Sequence, residues 1–360
     1  MKEHRFPYEW TLKDATFTKD KGTVFSCFAC GGGSTMGYKL AGFDVLGCNE
    51  IDPKMIEAYR VNHKPKYSYL EPIQTFKLRK DLPKELYNLD ILDGSPPCSS
   101  FSMAGNREKD WGKEKKFREG QAEQVLDNLF FDFIDLAKEL QPKVVVAENV
   151  KGLLLGNAKE YVRQIYRDFD EAGYYCQHWL LDASKMGVPQ RRERVFFVCL
   201  RKDLAEPFLY QQDMFTVNPK LELNFNEKGI PFKDVYTEIN DRPITGKTVE
   251  LWNNRKDKDK GLSEANGRIY NKPNNYFGWT YLRLDDIPNT IIANDTTVLF
   301  DEPRHINKDE SCKIGSYPID YNFMNNKPQY LIGMSVPPVM TAQIATEIYE
   351  QWLSSKINKR

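Results

Sequence analysis

Four short segments place reactive residue types where apolar runs end. In Gly94–Cys98 (GSPPC), two prolines fix the backbone directly before a cysteine. A rigid approach suits a nucleophile whose sulfur must be aimed within tenths of an ångström, although a buried structural cysteine after a proline turn reads the same way. Glu148-Asn149-Val150 follows the run Val144–Ala147, and a carboxyl group held in a closed pocket can keep its proton and act as a general acid. Gln190–Arg194 (QRRER) sets Arg192 and Arg194 two apart, on one side of an extended chain. Their guanidinium forks suit the oxygen of a base or a phosphate, or a rim salt bridge. Phe28–Gly33 (FACGGG) is glycine-rich where a strand should turn into a helix, so backbone and free N–H groups can approach a ligand. Glu50 follows Gly33 by seventeen positions (50 − 33), where a carboxylate in a doubly wound sheet accepts hydrogen bonds from ribose hydroxyls. Loop and carboxylate together imply a nucleoside cofactor, and a dehydrogenase would show the same pair.

The elements that must position these residues are legible as alternating short apolar runs and helical stripes, which predict βαβ units and a mainly parallel sheet. Strands are expected at Thr23–Ala29, Phe43–Asn49, Asp90–Asp93, Lys143–Ala147 and Arg194–Leu200. A helix should run from the glycines to Leu40. Another is expected over Gln121–Gln141, with its stripe at Val125, Leu129, Phe133, Ala137 and Leu140, stopped by Pro142. GSPPC and ENV then lie at the carboxyl rim of the sheet, where open α/β sheets bind ligands, and QRRER lies at the mouth of the strand RVFFV. From Ala205 to Trp279 the chain turns polar without clean periodicity, as in a smaller unit with long loops. Met340, Ile344, Ile348 and Trp352 form one face of a closing helix.

Composition sets the class. The chain has 360 residues, 51 basic against 51 acidic, and its seven cysteines form no disulfide-like framework, which favours a reduced, intracellular setting. Its longest apolar runs are strand-sized, so no membrane span is expected, and MKEHRFPYEW lacks a signal-peptide pattern. A zero net charge does not advertise a nucleic-acid partner. Basic residues do gather locally, six against three acidic in Asn106–Arg118 and four against two in Asn254–Lys260. Cys27-x-x-Cys30 has no second pair, so no metal site is expected.

The four segments, in their chain order FACGGG, GSPPC, ENV and QRRER, resemble the cytosine carbon-5 methyltransferase family over the whole chain except about residues 205–275. Phe28–Gly37 with AGFDVLGCNEIDP resembles the family's cofactor loop and ribose-binding acid. PPCSSFS at 96–102 resembles its nucleophile motif, and ENVKGLL at 148–154 and GVPQRRERVF at 187–196 its acid and arginine motifs. Arg304–Pro318, with Glu310, resembles a worn form of the helix that supports the small domain, and Gly333–Pro338 the return to the cofactor site. The resemblance implies an α/β class I methyltransferase fold, Rossmann-like, with a catalytic domain of residues 1–204 plus 330–360. A smaller target-recognition domain would occupy 205–329.

It further implies that Cys98 attacks carbon 6 of a flipped-out cytosine in double-stranded DNA while Glu148 protonates nitrogen 3. Arg194 would hold the base oxygen, Arg192 would support that cluster, and carbon 5 would take the methyl group of S-adenosylmethionine. Phe28, Cys30, Gly31, Gly33, Glu50, Ile51, Pro97, Leu129 and Ser335 carry over to the cofactor site, and Ser99–Gly120 to a lid. A monomeric, cytoplasmic enzyme of bacterial or phage origin follows. Two positions depart from the pattern. Cys30 stands for a glycine, strained if φ is positive there, and Met334 for an asparagine. The acid expected near the adenine falls at Glu71 or Pro72. A tRNA-methylating branch of the same family and a nicotinamide-dependent oxidoreductase are the competing readings; the second leaves PPC, ENV and QRRER without roles.

Overall fold

The computed structural model describes residues 4–97, 128–155, 158–211, 217–272, 279–294 and 296–354, with the backbone of 114–115 and 124–125. Seven strands form the central sheet: β1 (Thr23–Cys27), β2 (Asp44–Glu50), β3 (Tyr67–Leu70), β4 (Ile91–Gly94), β5 (Val144–Val150), β6 (Tyr174–Asp182) and β7 (Glu193–Arg201). Their order is β3-β2-β1-β4-β5-β7-β6. The pairs among β1 to β5 are parallel, whereas β7 runs antiparallel to both neighbours. The sheet is therefore mainly parallel, as the alternation of apolar runs and helices predicts. β6 escapes that pattern because it is an edge strand in which Tyr174, Cys176 and Leu181 are buried and the other residues half-buried or exposed, with no continuous apolar run.

Strand periodicity sorts the core into two layers. Phe25, Leu92, Val145 and Phe197 face α3 (Leu129–Leu140) and α4 (Ala158–Glu171). Their neighbours Val24, Ile91, Val144 and Phe196 face the other way, toward α1 (Gly33–Leu40) and the closing helix α9 (Pro338–Ile348). The expected stripe Met340, Ile344, Ile348 and Trp352 is buried there. Gly33 permits the close approach of these elements: a Cβ on it would stand 2.3 Å from the Val336 carbonyl oxygen. α3 begins at Leu129, later than the Gln121 expected, because Gln124–Val125 pairs with Glu114–Lys115 as a short antiparallel ladder. β-branched Val125 suits an extended backbone at least as well as a helical one.

The polar stretch holds more regular structure than its composition suggests. α5 (Lys247–Asn253) and α6 (Leu262–Tyr270) pack Leu251, Leu262 and Ala265 against Ile244, Tyr281 and Val298, a small core of its own. Both helices are too short for a stripe to stand out from sequence. Ala205, Phe208, Leu221 and Leu223 instead join the α9 layer. A further cluster unites Trp10, Met36 and Met55 with Ile230, Phe232, Tyr317, Tyr321 and Leu331. α7 (Lys308–Ile314) starts with a capping box in which Asn307 and Glu310 bond each other's backbone amides. Fully buried Arg304 grips both Glu310 oxygens at 2.9 Å. The worn motif around Glu310 is thus the ion-paired foot of that helix. α8 (Pro328–Met334) then returns the chain to the sheet.

Candidate active site

The carboxyl ends of β1, β2, β4 and β5 and the amino end of antiparallel β7 converge on one rim. β5 extends past Ala147 to Val150, so Glu148 lies inside the strand rather than after it. In the antiparallel register Glu148 opposes Phe196 and Val150 opposes Arg194. Glu148 and Arg194 are therefore diagonal neighbours on one face, and Arg194 Nε donates to Glu148 Oε1 at 3.0 Å. Burial pulls the Arg194 guanidinium below its ordinary pKa, and the Glu148 charge opposes that shift. The pair offers a carboxyl group beside a fork of donors, complementary to a heterocycle edge carrying a ring nitrogen next to a carbonyl.

Arg192 does other work. It is 3% exposed and donates to the carbonyls of Ile291 (3.3 Å), Gly333 (3.0 Å) and Ser335 (2.9 Å). Among the described residues its Nε has no partner. Burial pushes its pKa down to about 9, with the Arg194 charge adding to the effect. The two arginines do share one side of the strand, but Arg192 ties β7 to the segment bearing Ser335 and to the region after α6. Cys98 and the side chains of Ser99–Gly120 lie outside the described residues. The loop into Cys98 is held by a residue to which sequence reasoning gave no role: Asn149 Nδ2 donates to the Pro96 carbonyl at 3.1 Å and is itself buried. Asn149 sits in the ENV segment, but its partner could be known only from the β4–β5 pairing.

Beside this rim lies a cleft of about 650 Å³, its open mouth included, lined by Phe28, Cys30, Glu50, Ile51 and Pro97 together with Asp52, Met55, Ser95, Tyr330 and Met334. The first five were expected from sequence; the second group was not, apart from Met334 as a departure. Asp52 was legible in hindsight, since Asp-Pro before a helical run is an N-cap signature, and its side chain caps α2 (Pro53–His63). Gly31, Gly33, Leu129 and Ser335 stand behind the cleft. Gly31 and Gly33 pack against Leu331 and Val336, Leu129 is in the core, and Ser335 Oγ bonds the Leu331 carbonyl at 2.8 Å. Glu71 is taken up by Arg79 at 2.9 Å.

The loop itself is tightly specified. Phe28 and Cys30 have φ of 52° and 49°, a left-handed conformation costing a residue with a Cβ about 1 kcal/mol. The Cys30 thiol lies 3.6 Å from the Met55 sulfur, and burial pushes its pKa up to about 12, so it stays protonated. Glu50 accepts from the amides of Cys30 (2.7 Å), Ile51 (2.9 Å) and Asp52 (2.9 Å), which leaves one carboxylate lone pair for a further donor. Burial nonetheless pulls its pKa upward. Replacing Glu50 with alanine should weaken nucleoside-cofactor binding about tenfold or more, because the loop loses its anchor as well as one ligand contact. Calorimetry that found unchanged affinity would remove Glu50 from the site.

Behind the loop, the Gly31 carbonyl accepts from the Tyr321 hydroxyl and from His63 Nε2 at 3.2 Å. The ring is therefore neutral with its proton on Nε2. Burial lowers its pKa to about 3, so below pH 6.5 the unfolded chain takes a proton that the folded chain refuses. The stability gained from neutral His63 is complete above pH 6.5 and is lost as pH falls toward 3. Between pH 6.5 and 5 the fold should lose roughly 2 kcal/mol through this residue. Urea unfolding should show that slope in the wild type and not in His63→Gln; parallel slopes would contradict it.

In the polar stretch, Arg242 bonds the Ile306 carbonyl, Arg255 lies over the Trp252 ring at 3.3 Å, and Lys247 lies over Tyr270 at 3.7 Å. Asn253 is exposed. Trp279 lines a second cleft with Arg191, Lys260, Arg283 and Asn289, between the small core and β7.

A family profile described as C-5 cytosine-specific DNA methylase matches residues 22–350. The chain is 38% identical over 181 residues to the type II methyltransferase M.FnuDI of Fusobacterium nucleatum, a match covering 50% of this chain and 47% of that protein. It thus spans about half the length of that relative. With M.NgoFVII of Neisseria gonorrhoeae it is 27% identical over 358 residues, 94% of this chain and 89% of the relative. Among solved structures, a protein described as a DNA modification methyltransferase encoded within an E. coli prophage superposes with a TM-score of 0.63 at 21% identity. That match covers 91% of this chain and 99% of the other. Spodoptera frugiperda DNMT2, as a mutant, gives 0.61 at 16% identity, with 91% and 99% covered. These structural likenesses concern the fold.

Proposed function

The chain belongs to the C-5 cytosine-specific DNA methylase family, and from that membership we propose that it methylates carbon 5 of a flipped-out cytosine within a short specific sequence of double-stranded DNA. Proteins of this kind use S-adenosylmethionine. The observation that carries the reading is the Glu148–Arg194 pair, set beside the loop that Asn149 anchors just before Cys98.

Carbon 5 of cytosine is too poor a nucleophile to accept a methyl group unaided. The Cys98 thiolate forms a bond to carbon 6 and pushes electrons toward carbon 5. Glu148 gives a proton to nitrogen 3 as that charge develops, and Arg194 holds the carbonyl oxygen at carbon 2. Arg192 acts behind them, fixing the carbonyls of Ile291, Gly333 and Ser335 so that the strand mouth keeps its shape. Loss of the carbon 5 proton to a base and departure of Cys98 restore the aromatic ring. A base inside a duplex cannot reach such a rim, so it must be flipped.

The cofactor cleft fits a nucleoside. Phe28 offers an apolar face, Glu50 keeps a free lone pair, and Ile51 and Pro97 close the sides, with Cys30, Gly31, Gly33, Leu129 and Ser335 holding the loop. When bound, S-adenosylmethionine supplies an electrophilic methyl group. Residues 205–329, which include the small core between Ile244 and Val298, read the target, and the cleft of Arg191, Lys260, Trp279 and Arg283 faces the duplex. Among the described residues no helix is long and apolar enough to cross a membrane; we place the protein in the cytoplasm, as a monomer. Radiolabelled S-adenosylmethionine offered with genomic DNA or bulk tRNA tests this directly. Label entering DNA as 5-methylcytosine is expected. Label confined to tRNA would favour the RNA branch, and binding of NAD in place of S-adenosylmethionine would favour an oxidoreductase.

A further inference from the structure

Asp93 is a fully enclosed carboxylate that the mechanism above does not use. It is the next-to-last residue of β4, five positions before Cys98, and it is 4% exposed. Its Oδ2 accepts from Ser26 Oγ and Ser34 Oγ, both at 2.7 Å, and its Oδ1 accepts from the Tyr38 hydroxyl at 3.2 Å. Ser26 lies on β1 two residues before Phe28. Ser34 follows Gly33 in the first turn of α1, and Tyr38 is one turn further along. A single side chain therefore joins both flanks of the cofactor loop to the strand that delivers the nucleophile.

We propose that Asp93 is a positioning residue for methyl transfer, holding the cofactor loop in register with the loop that carries Cys98. The proposal rests on the methyltransferase reading. Transfer to carbon 5 requires the methyl donor and the Cys98-bound base to stand in line, and misplacement by about 1 Å costs on the order of a hundredfold in rate. Asp93 supplies three bonds from one side chain, with Asn149 bracing the other side of the nucleophile segment.

Stability alone does not account for a carboxylate here. Its strand neighbours Ile91 and Leu92 are buried and apolar, and the charge that acts on Asp93 is the like charge of Glu148. The titratable groups near it are Cys27, Tyr38, Tyr59 and Glu148. Desolvation, helped by the Glu148 charge, raises its pKa to about 6 against the hydroxyl bonds that lower it. A carboxyl group with a raised folded pKa is a burden on the fold above that pH, and the burden lifts as pH falls through it. Replacing it by an apolar residue relieves that burden but leaves three buried hydroxyls without an acceptor, so the rate per folded molecule, and not stability, is the readout that bears on the proposal.

The test is steady-state kinetics with unfolding midpoints on Asp93→Leu, Asp93→Asn and the double variant Ser26→Ala with Ser34→Ala, in the DNA methylation assay. Asp93→Leu should lower kcat per folded enzyme about tenfold or more while the dissociation constant for S-adenosylmethionine stays within about threefold. Asp93→Asn keeps an oxygen acceptor that the hydroxyls can bond and should recover most of the rate. The serine double variant, which leaves Asp93 itself intact, should reproduce the loss. A kcat for Asp93→Leu within twofold of wild type overturns the proposal, as does a loss matched by unfolding in all three variants. A wild-type protein inactive on DNA would instead bring down the methyltransferase reading on which this rests.

Discussion

Cys98→Ala should abolish methyl transfer, lowering kcat by about four orders of magnitude or more, while S-adenosylmethionine binding stays within about threefold. The asymmetry follows from the placement of the two machineries. The cofactor cleft is built from the loop after β1, the end of β2 with the start of α2, Ser95 and Pro97, and α8, whereas the nucleophile acts on the base. Without a sulfur at carbon 6, carbon 5 carries no useful electron density, and neither Glu148 nor Arg194 can supply it. Cys98→Ser should fare little better, because a hydroxyl is a far weaker nucleophile near neutral pH than a thiol with a pKa near ~8.5. Retained turnover in either variant, measured by methyl incorporation into DNA, would take cysteine out of the mechanism.

Glu148→Gln should lower kcat by about two to four orders of magnitude with cofactor binding unchanged. Glutamine keeps the size of the side chain and can still accept from Arg194 Nε, now at 3.0 Å from the carboxylate, but it has no proton to give to nitrogen 3. A merely structural Glu148 would behave differently: the amide would preserve the contact across β5 and β7, and the rate would stay near wild type. Single-turnover methylation distinguishes the two outcomes. The same experiment on Arg194→Lys checks the partner, since an ammonium cannot hold both the carboxyl group and a base oxygen as a fork does.

The parts of this site that sequence makes legible are those written into single segments. GSPPC and ENV each end a buried strand and QRRER opens one, and strands covered on both faces read as continuous apolar runs. Glycines at 31–33 and the carboxylate at Glu50 show where a loop must be close and where a hydroxyl must be held. Contacts that depend on which strand lies beside which are not written that way. The hydrogen bond from Asn149 to Pro96 needs β5 next to β4, and the diagonal pairing of Glu148 with Arg194 needs β7 antiparallel to β5. Arg192 shows the limit most clearly: its spacing from Arg194 gives the correct side of the strand, but only the packing of Ile291, Gly333 and Ser335 around it reveals what it holds. Asp93 was readable as a strand residue and not as a hub, because its three partners come from two other elements. In the polar stretch, α5 and α6 bury too few residues for periodicity to stand out against the surrounding lysines and asparagines.

Covalent trapping on DNA tests the account at its centre. Duplexes carrying 5-fluorocytosine in many sequence contexts would be incubated with the protein and S-adenosylmethionine. Fluorine at carbon 5 cannot leave as a proton does, so the Cys98–carbon 6 bond should persist and the protein should migrate with the DNA under denaturing conditions. The adduct is expected in the wild type, absent in Cys98→Ala, and confined to one short sequence among the trapped duplexes. No adduct on DNA, with methyl transfer nonetheless observed, would contradict the covalent mechanism; an adduct that survives in Cys98→Ala would contradict the assignment of the nucleophile.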